Sequence, residues 1–134
     1  MERQWFWRKE LIDTSVLAEI EKTKQIKIPS ELRELIYEGN AGTPLKYKYK
    51  LNDRVFSFGE MLSFNRYEKE EHIETIFMAL ETVKNDSLFP FAIDEYSDYW
   101  CIELKDNLVV RYNHKTGEVI ETNIGIKEFM NKLY

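Results

Sequence analysis

"FPFAIDEYSDYWCIEL", residues 89–104, decides how this chain is read. Its two ends are apolar and aromatic; its middle is acidic. "LFPFAI" from Leu88 and "YWCIEL" from Tyr99 have the composition of buried strands. Between them stand Asp94, Glu95, Ser97 and Asp98, residue types that close turns by bonding nearby backbone. Beside those carboxylates lie Tyr96, Tyr99 and Trp100. The cluster admits four readings: a catalytic pair, a metal site, a surface for a partner, or only a turn between two strands.

Downstream, "NLVVRY" (107–112) and "EVIETN" (118–123) are two more strand candidates, joined by "NHKTGE", whose Gly117 suits the left-handed position of a hairpin turn. The chain closes with "GIKEFMNKLY", where Ile126, Phe129, Met130 and Leu133 share one side of a short helix. Upstream, "EKEEHIETIFMALETVK" (68–84) reads as a helix, with Ile73, Ile76, Phe77, Leu80 and Val83 on one face and Lys84 in its last turn. "LKYKYKL" (45–51) alternates apolar with lysine, as a strand with one wet face does. "RVFSFGEMLSF" (54–64) is a second strand with Gly59 as a bulge, and Asn52 and Asp53 turn between the two.

Two helices come first. In "DTSVLAEIEKTK" (13–24), Asp13 or Thr14 caps the start and Val16, Leu17 and Ile20 face one way. The second opens at Pro29 and repeats Leu32, Leu35 and Ile36; Gly39, Asn40 and Gly42 tolerate the left-handed conformation that ends it. The fold class expected is α+β, with a largely antiparallel sheet of about six strands flanked by about four helices. No linker or repeat divides the chain, so residues 1–134 form one domain, with residues 1–13 as an N-terminal aromatic extension. Trp5, Phe6 and Trp7 cannot all face one core, so at least one is exposed, covers a sheet edge or meets another chain.

The totals exclude several classes. The net charge of −5 disfavours nucleic-acid binding, and no apolar run approaches the ~20 residues of a membrane span. Cys101 is the single cysteine, which rules out an internal disulfide and fits the reducing cytoplasm. Neither His72 nor His114 has a His or Cys at ligand spacing, so no metal is expected, and both are expected to be exposed. No nucleophile motif or phosphate loop is present, and Cys101 within a strand reads as inert packing. Asp94, Glu95 and Asp98 would do acid/base chemistry only if their surroundings separated two pKa values. Lys46, Lys48 and Lys50 on one strand face read as protection against edge-to-edge aggregation rather than a phosphate site.

Several stretches together resemble the SMI1/KNR4 family of the SUKH superfamily. "IPSELRELIYEGNAGTP" (28–44) is similar to its first signature, a Leu/Ile-Pro pair opening a helix that ends in Asn-Gly-Gly. "FPFAIDEYSDYWCIEL" is similar to the second, and "LVVRYNHKTGEVIET" with the last helix to the ending. On this resemblance Pro29, Asn40, Gly42, Pro90 and Trp100 are fold-signature positions. Two departures stand out: Ala41 where a Gly is common, and Ser97 where a Gly often precedes the second Asp.

The resemblance implies a non-catalytic binding protein without a cofactor, of the bacterial immunity type, whose partner is a cognate toxin domain such as a nuclease. An acidic, aromatic-studded surface suits such a basic partner. Asp94, Glu95, Tyr96, Asp98 and Tyr99 are then the candidate partner-facing residues, with Glu60 and Glu68 as further ones. The competing expectation for Asp94 and Asp98 is that they bond backbone N–H groups and shape the turn. Two rival functions are a regulatory or scaffold module with a non-toxin partner, and a small-molecule pocket. An apolar pocket holding carboxylates of raised pKa would favour the latter.

Overall fold

The computed structural model describes residues 3–65 and 75–134. These hold strand β1 (Trp5–Phe6), helices α1 (Ser15–Lys24) and α2 (Ser30–Gly39), and strands β2 (Thr43–Pro44), β3 (Lys48–Leu51), β4 (Arg54–Ser57) and β5 (Glu60–Met61). Helix α3 (Ile76–Thr82), strands β6 (Leu88–Ile93), β7 (Tyr99–Glu103), β8 (Leu108–Tyr112) and β9 (Val119–Gly125), and helix α4 (Ile126–Asn131) follow. The architecture is α+β, as the apolar periodicities imply. Its main sheet is antiparallel in the order β5-β6-β7-β8-β9, with β3-β4 and β1-β2 as separate two-stranded pairs.

At the start of α1, Asp13 is the side chain that acts: its Oδ1 accepts from Ser15 N at 2.9 Å and from Ser15 Oγ at 2.6 Å. Thr14 makes no such bond. Glu21 then ties α1 to α2, accepting from Ile28 N at 2.8 Å and from Arg33 Nη2 at 3.1 Å. The end of α2 departs from expectation. Asn40 keeps a negative φ and Ala41 takes the left-handed position, with φ 62°. Asn40 instead is fully buried and clips three segments together. Its Oδ1 accepts from Phe64 N at 2.7 Å, its Nδ2 donates to Lys9 O at 3.2 Å, and its own carbonyl accepts from Lys9 N at 2.8 Å.

"RVFSFGEMLSF" is not one bulged strand. Gly59, at φ 77°, divides it: β4 pairs with β3, while β5 pairs with β6 of the main sheet. A Cβ on Gly59 would sit 2.0 Å from Ile93 O, so this crossing admits no side chain. The β3–β4 turn has Asn52 and Asp53 at φ 51° and 65°, the left-handed pair that a two-residue hairpin loop requires. Strand β3 starts at Lys48, three residues later than the alternation suggests, and leaves Tyr47 outside it. In β6, Pro90 sits where the register with β7 shifts, a place where a residue without an N–H is tolerated.

Helix α3 is shorter than its expected span and is capped by Thr75, whose hydroxyl accepts from Met78 N. Val83 and Lys84 follow its end. Glu68, His72 and Ile73 lie outside the described residues.

The core closes on Trp100. It is fully buried, touches Tyr49, Phe56 and Phe129 with ring centroids 5.9, 6.1 and 4.9 Å away, and donates from Nε1 to Ser57 O at 3.1 Å. The hairpin, the sheet and α4 therefore meet on one indole. The chain end locks the hairpin further, since Lys48 and Tyr134 exchange two backbone bonds of 3.0 Å. At the other end Trp5 lies against Gly39, where a Cβ would be 2.3 Å from the indole, and Leu11 is buried. Phe6 and Trp7 point outward.

Candidate functional site

The turn of the opening stretch is built around Asp94. Its backbone N donates to Asp98 O at 2.9 Å, and Ser97 N donates to Asp94 O at 3.1 Å. Its Oδ1 accepts from Tyr96 N at 2.9 Å and Asp98 N at 3.0 Å; its Oδ2 accepts from Arg111 Nη2. Asp98 Oδ2 accepts from the same Nη2 at 3.3 Å, and its Oδ1 accepts from His114 N at 3.1 Å. His114 Nδ1 lies 2.8 Å from that Oδ1; a carboxylate only accepts, so Nδ1 carries the proton. Ser97 holds the turn with φ 68°, a left-handed position that glycine occupies more readily.

The sheet register explains how the cation arrives. Trp100 on β7 faces Arg111 on β8, and cross-strand partners share a face. The guanidinium lies 4.4 Å from the Phe56 centroid and 5.1 Å from the Trp100 centroid. Nη1, which has no hydrogen-bond partner among the described residues, is thus closed in beside two π faces that favour its charge.

This geometry corrects several site expectations. Asp94 has a side chain 1% exposed, and Asp98 one 14% exposed; both point inward and hold the turn, which is the competing reading of them. Each carboxylate accepts three bonds, which leaves little capacity for a substrate proton or a metal ion. Tyr99, expected to be partner-facing, is buried in the sheet. Glu95 and Tyr96 remain exposed at the tip. His114, expected to be exposed, is half-buried and part of this network. Cys101 is fully buried, and burial pushes its thiol pKa well up, which disfavours the thiolate. Among the described residues no group of His, Cys, Asp and Glu is arranged to hold a metal ion. No helix there is long and apolar enough to cross a membrane.

Sequence reasoning passed over Arg111. The available signal was a lone charge inside the apolar run "LVVRY", since a buried charge must find a partner.

Two hollows flank the turn and share Ser57, Asp94 and Glu95. One, of about 470 Å³, opens between β4 and the β8–β9 hairpin and includes Arg54, Phe56, Tyr96 and Glu118. The other, of about 400 Å³, lies between Trp7, Tyr47, Glu60 and Glu95. Burial without a counter-charge raises the Glu60 carboxyl pKa above its ordinary value. No hydrogen bond or ion pair engages its side chain among the described residues.

The turn, the buried Asn clip and the closing helix all fall inside the stretch that matches a known family: residues 11–132 match the SMI1 / KNR4 family (SUKH-1). The chain belongs to the SMI1/KNR4 family. The match spans both stretches quoted for the resemblance, Ile28–Pro44 and Phe89–Leu104. No curated protein matches the chain. Ala41 and Ser97, where the resemblance led glycine to be expected, both take the left-handed φ that glycine adopts readily, 62° and 68°.

Proposed function

We propose that this SMI1/KNR4 protein is a non-catalytic binding protein of the immunity type, which captures and neutralises a cognate toxin domain in the bacterial cytoplasm. Family membership supports the binding role. The observation that carries it further is the state of the acidic turn. Asp94 and Asp98, the best acid/base candidates in the sequence, are saturated by turn N–H groups, Arg111 and His114. Around them exposed Val55, Tyr96, Trp7 and Tyr47 stand with Glu95 and Glu118, and with Arg54 as the one exposed cation of the two described linings. Exposed aromatics among carboxylates suit a basic protein surface, with the charges steering encounter and the rings anchoring it.

A second reading, a small-molecule site, draws support from Glu60, a carboxylate of raised pKa in the 400 Å³ hollow. Co-expression with the neighbouring reading frame separates the two. If that frame encodes a toxin, this protein rescues growth and co-purifies with it. A toxic neighbour that this protein neither neutralises nor binds defeats the immunity reading.

A further inference from the structure

The hollow beside Trp7 has features that the acidic turn lacks. Trp7 is 78% exposed and held at φ 59°, a conformation that is rare and strained for a bulky residue. The chain is fixed on both sides of it. Phe6 pairs with Thr43, Arg8 Nε donates to Glu38 O at 2.8 Å, and Lys9 N donates to Asn40 O. Between these anchors the backbone turns the indole out of the fold. Such strain persists only where surrounding bonds over-determine it, and it cannot arise from burial of this ring.

The same lining holds Tyr47, 45% exposed, and Glu60, whose side chain has no partner among the described residues; Glu95 adds a second carboxylate. Among the described residues no lysine or arginine lines the hollow, and its third carboxylate, Asp94, is already neutralised by Arg111. Lys48 approaches Tyr47, with Nζ 5.9 Å from the ring centroid, but is not part of the lining. Aromatic walls with a carboxylate and no cation match an alkyl-ammonium or guanidinium group, whose stem lies on the rings while its head meets the charge.

We infer that the Trp7–Tyr47–Glu60 slot receives a lysine or arginine side chain from a basic protein partner. This rests on the binding reading and adds the place and the chemistry of contact. A protein is the fitting occupant because the apolar exposure extends past the slot: Phe6, Leu45, Val55 and Tyr96 are each 46% exposed or more. A free amine would leave those side chains in water, whereas a protein surface covers them around the anchoring cation.

The test has two arms. The 15N-labelled chain is titrated with capped Gly-Lys-Gly, capped Gly-norleucine-Gly and n-butylammonium. The lysine peptide shifts the Trp7 indole N–H and the norleucine peptide does not. Glu60→Gln weakens the lysine response about fivefold, the scale of a cation–π and ion-pair contact, and Glu34→Gln on the outer face of α2 leaves it unchanged. Equal shifts from norleucine, or indifference to Glu60→Gln, overturn the inference. Butylammonium binding about a hundredfold more tightly than the peptide assigns the slot to a small amine and overturns it too.

In the second arm the protein of the neighbouring frame binds Trp7→Ala and Glu60→Gln at least tenfold more weakly than wild type. Undiminished binding by both variants overturns the slot while the immunity reading stands. If that protein does not bind wild type at all, the immunity reading fails and the titration decides the slot.

Discussion

Two sets of carboxylates lie side by side at the mouth of the hairpin, and their surroundings differ sharply. In the turn, Asp94 and Asp98 meet Arg111, His114 and backbone N–H groups, so their charge is met inside the fold. In the slot, Glu60 meets aromatic walls and, among the described residues, no cation. A satisfied charge organises structure; an unsatisfied one beside exposed rings is what the proposed contact would use. The difference teaches that acidity by itself does not mark an interface. The decisive quantity is whether the fold has already supplied the counter-charge.

The largest blow to this contrast comes from Asp94→Ala. It leaves Arg111 facing only the more distant Asp98 and strands two turn N–H groups, so denaturant unfolding should show a loss of about 3–5 kcal/mol. A loss below about 1 kcal/mol would mean that the turn is not the structural half of the pair. His114→Ala removes one charge-assisted bond from a partly exposed ring but keeps the backbone bond to Asp98; a loss of about 1 kcal/mol is expected by the same measurement.

Ser97→Gly acts in the opposite sense. It relieves a left-handed residue whose φ is 68°, and thermal melts should show a gain of about 1 kcal/mol. A destabilised variant would show that the Ser97 side chain supports the turn in a way its backbone does not require.

The smallest effect sharpens the other half of the comparison. Burial raises the Glu60 pKa in the folded state. The stability linked to its protonated form is therefore fully present below the unfolded pKa and is lost as pH rises through the raised folded value. Glu60→Gln should accordingly melt slightly higher than wild type at neutral pH, by less than about 1 kcal/mol because the site is half wet. The gap should close in acid. A variant that is more stable yet binds worse would carry the mark of a residue kept for function. A neutral-pH melt below that of wild type would place Glu60 among the structural carboxylates.

Much of this was legible in the chain. Apolar residues at helical spacing located α1, α2 and α4, and period-two or continuous apolar runs located β6 to β9. Asn52-Asp53 announced its turn, and Gly117 (φ 77°) took the left-handed place expected of it. The site was less legible. Glu60 and the aromatic triplet drew notice, but nothing in the sequence joined them. His114 was expected to be exposed because its partner Asp98 lies sixteen residues away on a different turn. Gly59 looked like a bulge because a local pattern does not reveal that the chain changes sheets there.

The sequence by itself determined the α+β class, helices α1, α2 and α4 and strands β6 to β9, because periodicity and turn chemistry depend on neighbours a few residues apart, and its signature stretches carried the resemblance to the family. Only the tertiary structure decided what the acidic stretch is for. Register across β7 and β8 set Arg111 beside Trp100, and that single placement turned Asp94 and Asp98 inward. The pairing of β1 with β2 and the clip at Asn40 turned Trp7 outward, to the rim shared with Glu60, more than fifty residues along the chain. Charge compensation depends on distances in space, and those were fixed by strand register and by the two anchors around Trp7.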